Sequence, residues 1–383
     1  MTVGRSDPKG LPDGRGRTAV IIVALLLAAV GSSGRLAAQD SQFGIRGLGT
    51  PGKWESVRAR TTGGAFAPFD PFSPMTDAAL ADVRRMSASM ASGTSWRTID
   101  ASGATSSLRA TRFPALVIAG PVSSRIVVGG GFGTYLDRTY GIIVHDTIDL
   151  RGQPQAVTDE ITNDGAVSDV RLAVAARLGK RLALGLGLHR LTGSSRIIAT
   201  RTFSDTANYR TSTARDEVAY GGNGGSASLL FDVTRDLRVG GWFRSDSKLR
   251  ADVGGVTKAE NDLPLTYGTG IQWRAGAQAT LAGTVTWRTW SSAGDSASHD
   301  TFNWSFGAEI GRPSSPFRFG VRGGDMPFGF GKAPTEVGYS AGLGRQFSGG
   351  RGRLDIGIER LDRSGTGLKE RVWTFLLGLT VRP

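Results

Sequence analysis

The sequence predicts an all-β fold, a transmembrane antiparallel β-barrel of about 14 strands with an N-terminal plug inside its lumen. Three observations predict it. From about residue 94 onward apolar residues alternate with polar or small ones at a period of two. Short and long connections alternate between these segments. A stretch rich in proline and phenylalanine, which does not alternate, precedes them all.

Composition removes several classes. With 56 Gly but no G-X-Y period among 383 residues, the chain is not collagen-like. The absence of cysteine excludes disulfides, thiolate metal sites, iron-sulfur clusters and cysteine nucleophiles. Lys and Arg total 46 against 33 Asp and Glu, a formal charge of +13. The basic residues are scattered singly, with no concentrated patch, so nucleic acid is not an expected partner.

In chain order, residues 1–39 read as a secretory signal peptide. Arg15 and Arg17 precede the apolar run Ala19 to Val30, followed by small residues and Leu36-Ala37-Ala38-Gln39. A run of about 12 residues is short of the roughly 20 of a transmembrane helix. Cleavage falls after Ala38 or Gln39. The leader carries three net positive charges, leaving +10 on the mature chain.

Residues 40–91 read as the plug. In Phe66-Ala67-Pro68-Phe69-Asp70-Pro71-Phe72-Ser73-Pro74-Met75 each proline removes a backbone donor and fixes φ, which is incompatible with a central strand. Exposed phenylalanines in an open tail would be a hydrophobic liability, which favours a lumenal position over a periplasmic extension. After Thr76 or Asp77 as cap, the spacing of Leu80, Val83 and Met86 predicts a short helix over Ala78 to Met90.

Residues 92–383 read as the barrel. Val170, Leu172, Val174, Ala176 and Leu178 face one way, and Asp169, Arg171 and Arg177 the other. Leu182, Leu184, Leu186 and Leu188 oppose Ala183, Gly185, Gly187 and His189. Phe302, Trp304, Phe306, Ala308 and Ile310 oppose Asn303, Ser305, Gly307, Glu309 and Gly311, and Trp373 to Val381 closes the series. These alternations run for about 9 to 13 residues, whereas strands of soluble sheets average about 5 to 6 and transmembrane barrel strands need about 9 to 11. Trp242, Trp273, Trp287, Trp290, Trp304 and Trp373 lie toward segment ends, as interfacial girdles require. Gly141 to Asp164 and Ile197 to Val218 are either hairpins above the membrane or further membrane strands, which would raise the count to 16 or 18.

The plug also carries a resemblance. Val57-Arg58-Ala59-Arg60-Thr61-Thr62-Gly63-Gly64-Ala65-Phe66, then Asp70, Ser73 and Asp77-Ala78-Ala79-Leu80, resembles the hatch of the FadL-type long-chain fatty-acid outer-membrane transporters. Pro114 to Gly133, Arg322 with Pro327-Phe328, Glu336 with Ser340-Ala341-Gly342-Leu343-Gly344, and Lys369-Glu370 are similar as well. Thr76-Asp77 stands where that family has Asn-Pro, and the chain ends on Arg382-Pro383 instead of an aromatic. The resemblance implies a fourteen-stranded barrel closed by its hatch, passing hydrophobic molecules across the cell outer membrane by diffusion.

The expected function is therefore passive uptake of hydrophobic small molecules such as long-chain fatty acids. The alternatives are a structural or anchoring barrel and a porin for polar solutes. Phe66, Phe69, Phe72 and Met75 of the plug either line the ligand path or pack the plug on the wall. Lumen-facing arginines either brace the barrel or engage a substrate carboxylate in bidentate fashion, and Arg318 and Arg322 are the candidates for the second role. Three histidines with no pair at ligand spacing suggest no metal site, no cofactor is expected, and the chain is not read as an enzyme. Expected partners are outer-membrane lipid, a hydrophobic substrate and the barrel-insertion machinery, with the protein a monomer.

Overall fold

The computed structural model describes residues 41–383 except 46, 102–103, 294–296, 330 and 366, so the expected leader lies outside the described residues. Its sheet has eighteen strands. Four are short or peripheral: Thr50–Pro51, Tyr140–Leu150, Leu249–Val253 and Val256–Asn261. The other fourteen are β1 (Ser87–Ala101), β2 (Ala104–Pro121), β3 (Ile126–Asp137), β4 (Gln153–Leu178), β5 (Leu182–Phe203), β6 (Ser212–Asp232) and β7 (Leu237–Asp246). They continue as β8 (Thr266–Arg274), β9 (Ala279–Arg288), β10 (Thr301–Arg312), β11 (Ser315–Asp325), β12 (Thr335–Phe347), β13 (Gly352–Gly365) and β14 (Leu368–Val381).

Each pairs antiparallel with the next, and β14 returns to β1 in a ladder from Leu368 opposite Ala101 to Val381 opposite Ala88. The barrel is closed at fourteen, so no sheet edge is left unpaired in its wall. β4, β5 and β6 are 26, 22 and 21 residues long, far beyond a membrane crossing of about 9 to 11. Their upper halves stand clear of the membrane. There Tyr140–Leu150 pairs with the start of β4, and Leu249–Val253 leans on β6 through Arg250 opposite Gly221. The two ambiguous segments thus add height to the barrel, not membrane strands.

The apolar faces point outward. Leu172, Leu186, Leu188, Phe306 and Leu343 are among the most exposed large side chains of the wall, a band that only lipid can cover. Trp273 and Trp373 belong to that outer surface, but Trp242 and Trp290 are only 6% and 2% exposed. Trp242 shares the inward face of β7 with Arg238 and Arg244, and Trp290 packs edge-on against Phe328 with ring centroids 5.3 Å apart. Their expected place in a girdle is corrected by that inward phase.

The segment before β1 has little regular structure: a single helical turn, α1 (Val57–Arg60), and 3-10 turns at Gln42–Gly44, Ala67–Phe69 and Asp77–Asp82. The helix expected over Ala78 to Met90 is corrected. The 3-10 turn ends at Asp82, and Ser87 already pairs with Ala119 as the first residue of β1. Leu80 and Val83 are buried, whereas Met86 and Met90 are exposed on the outer side, so what looked like one helical stripe serves two environments.

Candidate functional site: the plugged lumen

Residues 41–45 and 47–83 fill the lumen, and the wall is shaped for them. Gly307 of β10 pairs with Gly320 of β11, and a Cβ on either would overlap the Thr62 carbonyl. Gly342 of β12 pairs with Gly357 of β13, and both lie against the Thr61 methyl. On the opposite wall, Ala173 and Ala175 of β4 face Gly187 and Gly185 of β5 beneath Asp77 and Ala78. Paired small residues on adjacent strands make shallow seats in which plug backbone touches wall backbone. Serines close the polar account: Ser340 Oγ accepts from Gly63 N and Ser228 Oγ from Ala78 N, each at 2.9 Å.

Phe66 and Phe69 belong to this packing. They are 0% and 3% exposed and cluster with Ala78, Ala79, Leu80 and Val83 against wall residues that include Val127, Ala175, Leu230 and Ala282. Phe72 is also buried.

Charged side chains bind the same surfaces. Arg58 meets Glu309 at 2.6 Å and Arg60 meets Glu359 at 2.5 Å. Asp77 forms an ion pair with Arg171 at 2.6 Å, while Asp82 bridges Arg177 at 2.5 Å and Arg238 at 2.6 Å. Within the wall, Arg318 is wholly buried between Glu309 (2.9 Å) and Asp355 (2.7 Å). Arg322 reaches Glu359 at 2.7 Å and Glu336 at 3.4 Å. Buried charges survive in a low-dielectric setting only when paired in this way. The two arginines read from sequence as substrate contacts therefore already hold carboxylates of the protein.

His189 is one link of such a chain. Its Nδ1 lies 2.8 Å from Asp169, its Nε2 lies 2.8 Å from Ser226 Oγ, and Ser226 donates to Asp77 at 2.6 Å. Ser194 and Ser195 are near in sequence but rise away from this histidine along β5. The register instead brings Ser226 from β6, with its hydroxyl engaged by the plug.

Above the seats lies a cavity. One lobe of about 140 Å³ is bounded by Pro51 to Lys53, Glu55, Gly63, Gly64 and Met75 of the plug and by β9 to β12, including Thr286, Arg288, Asn303, Arg322 and Glu336. A second lobe, of about 60 Å³, shares Pro51, Gly52, Glu55, Met75, Arg288 and Trp290 with it and adds Trp54, Pro74, Tyr135, Trp242 and Arg244. Aromatic and thioether walls around a few polar groups are the usual make-up of a small-molecule pocket. Of the residues expected to touch ligand, Met75 and Arg322 line this cavity, and Phe66, Phe69, Phe72 and Arg318 do not.

Arg288 is one of the lumen-facing arginines, but sequence reading did not single out Trp54 or Glu55, which lie in a stretch without periodicity, and it took Trp290 for a girdle residue. Arg288 did carry a signal. Its cross-strand neighbours are Thr266 and Thr301, so no acid faces it, whereas Arg318 sits directly opposite Glu309.

No protein-family model matches the sequence, and no curated protein does. Solved structures match over most of the fold. A Pseudomonas aeruginosa FadL homologue aligns with TM-score 0.63 at 13% identity, covering 87% of this chain and 99% of its own. The Ralstonia pickettii toluene transporter TbuX aligns with TM-score 0.57 at 15% identity, over 86% of this chain and 98% of that one. The monoaromatic hydrocarbon channel CymD aligns with TM-score 0.54 at 13% identity, over 86% and 98%. At these identities the likeness is one of architecture: the chain has the closed-barrel fold of the FadL-type channels.

Proposed function

We propose that the protein is an outer-membrane channel for the passive uptake of hydrophobic small molecules. The observation that carries this reading is the aromatic-lined cavity of Trp54, Met75, Trp242 and Trp290 inside a barrel whose outer face is apolar and whose lumen is filled below by the plug. In this reading residues 1–39 are the export leader, residues 40–91 the plug and residues 92–383 the barrel. Met75 and Arg322 contact the ligand, and Phe66, Phe69, Phe72 and Arg318 hold the plug and wall around it.

The fold neighbours that are toluene and monoaromatic hydrocarbon channels support a ligand of one-ring size. A porin for polar solutes fits less well, because the plug occupies the path such solutes would take. An anchoring barrel has no need of an aromatic cavity. Uptake of radiolabelled toluene by cells expressing the protein, against cells lacking it, tests the reading. A clear rise in initial rate is expected, and equal rates with the barrel correctly inserted would refute transport.

A further inference from the structure

The cavity has a polar end of an uncommon kind for a lumen so thoroughly ion-paired. Arg322 is held by Glu336 and Glu359, Arg244 by Asp169 and Asp246, and Lys53 lies 3.4 Å from Glu336. Among the described residues the exceptions are Arg288, Glu55 and Asp325, of which Asp325 lines one lobe alone and accepts from Phe302 N at 3.3 Å. Arg288 donates Nη1 to Asn303 Oδ1 at 3.2 Å and makes no ion pair among the described residues. Among the described residues Glu55 makes no ion pair either, and its buried Oε2 has no hydrogen-bond partner. Both residues line both lobes of the cavity, one from the plug and one from the wall.

A buried acceptor without a donor is costly, and native structures keep few of them. Here the unused acceptor and a guanidinium with donors to spare line the same space as Trp54, Trp242, Trp290 and Met75. The charges of Glu55 and Arg288, the two of these residues that line both lobes, sum to zero. An anionic ligand would meet the glutamate as well as the arginine, and a pure hydrocarbon would leave the glutamate oxygen dry and unbonded. A hydroxyl satisfies both, donating its proton to Glu55 and accepting from Arg288.

Resting on the channel reading above, we propose that the cavity selects neutral ring compounds carrying one hydroxyl group, phenols above all, with the ring among the tryptophans and the hydroxyl between Glu55 and Arg288. The same arrangement makes Glu55 and Arg288 the specificity-determining residues of the channel.

Calorimetric titration of the detergent-purified mature protein with 4-ethylphenol, ethylbenzene and 4-ethylbenzoate tests this. The phenol should bind roughly tenfold or more tighter than either analogue, since a site built for a hydroxyl leaves its polar groups unpaired with the others. Arg288→Met should abolish that preference while ethylbenzene binding persists, which also shows that the variant is folded. Glu55→Gln, which leaves the site with net positive charge, should raise 4-ethylbenzoate binding relative to the phenol by about tenfold.

Equal binding of phenol and hydrocarbon, or strongest binding of the benzoate by the unaltered protein, overturns the proposal and leaves the channel reading intact. Failure of all three to bind, together with no toluene uptake, overturns both.

Discussion

The plug meets opposite sides of the barrel with opposite charge. Toward β4 to β7 it offers acids, Asp77 and Asp82, to the wall's Arg171, Arg177 and Arg238. Toward β10 to β13 it offers bases, Lys53, Arg58 and Arg60, to the wall's Glu336, Glu309 and Glu359. Both sides also carry small-residue seats, so shape alone would not distinguish them. Rotated half a turn about the barrel axis, the plug would set like charge on like. The reversed polarity fixes orientation, and the glycine pairs fix how closely the plug approaches.

The comparison can be broken most severely on the basic side. Arg60→Glu places two carboxylates together where Glu359 is 1% exposed, and should cost about 5 kcal/mol, the upper end for breaking a buried pair. The temperature at which the folded band converts on a gel should fall steeply, and adding Glu359→Arg should restore part of it. Phe66→Ala empties a side chain from the shared apolar cluster and should cost about 3 kcal/mol by the same measurement. It should do so without altering the charge pattern, which separates packing from orientation.

Gly320→Ala tests the seat itself. A methyl there overlaps the Thr62 carbonyl, so the plug must lift, at about 1–3 kcal/mol, and single-channel conductance to small ions should appear. Gly241→Ala, where a Cβ meets only the Gly268 carbonyl at 3.9 Å, should leave conductance unchanged. On the acidic side Asp82→Asn should cost only about 1 kcal/mol, because its side chain is 28% exposed and solvent screens the pair. A cost equal to that of Arg60→Glu would refute the asymmetry.

The smallest effect lies at the rim, where Asp159 of β4 meets Arg201 of β5 at 2.7 Å, well above the membrane. The hydrogen bond from Arg201 holds the Asp159 carboxyl below the usual range. A depressed folded-state pKa gives stability that is present above the unfolded value of about 3.9 and lost as pH falls through the folded one. Amide protection relative to the intrinsic exchange rate at the top of the β4–β5 ladder should therefore fall slightly below pH 4. Asp159→Asn should remove that pH dependence.

Much of the wall was legible from sequence because a strand between lipid and lumen writes its two environments into alternate residues. Leu182 to His189 shows this plainly, and the turn at Gly179 to Arg181 sets the next strand's register. Lipid-facing phase, strand number and the alternation of turns and loops all follow from that one constraint. The plug was legible only as an exclusion of strand by its prolines. Its fold depends on contacts with partners hundreds of residues away, such as Arg60 with Glu359, and no local period encodes them.

The site was half legible. Arg288 announces itself once the register is known, because the threonines beside it offer no countercharge. Trp54 and Glu55 do not, since nothing in Gly52 to Ser56 says which way a plug residue will face. The two missing girdle tryptophans fail for a related reason: Trp242 is in phase with the arginines of β7, and Trp290 lies beyond the end of β9.

The paired glycines bear on how the molecule is made as well as on how it is held. Thr61 and Thr62 lie on β10 to β13, Asp77 and Ala78 lie on β4 and β5, and Ser87 starts the strand on which β14 must close. The segment synthesised first is thus gripped by strands from both halves of the chain, the last of which arrive only as the seam zips. Closure and capture of the plug become one event. Enlarging a seat residue should then appear in cells as a delayed or stalled assembly intermediate, before any loss of stability in the finished barrel could be measured.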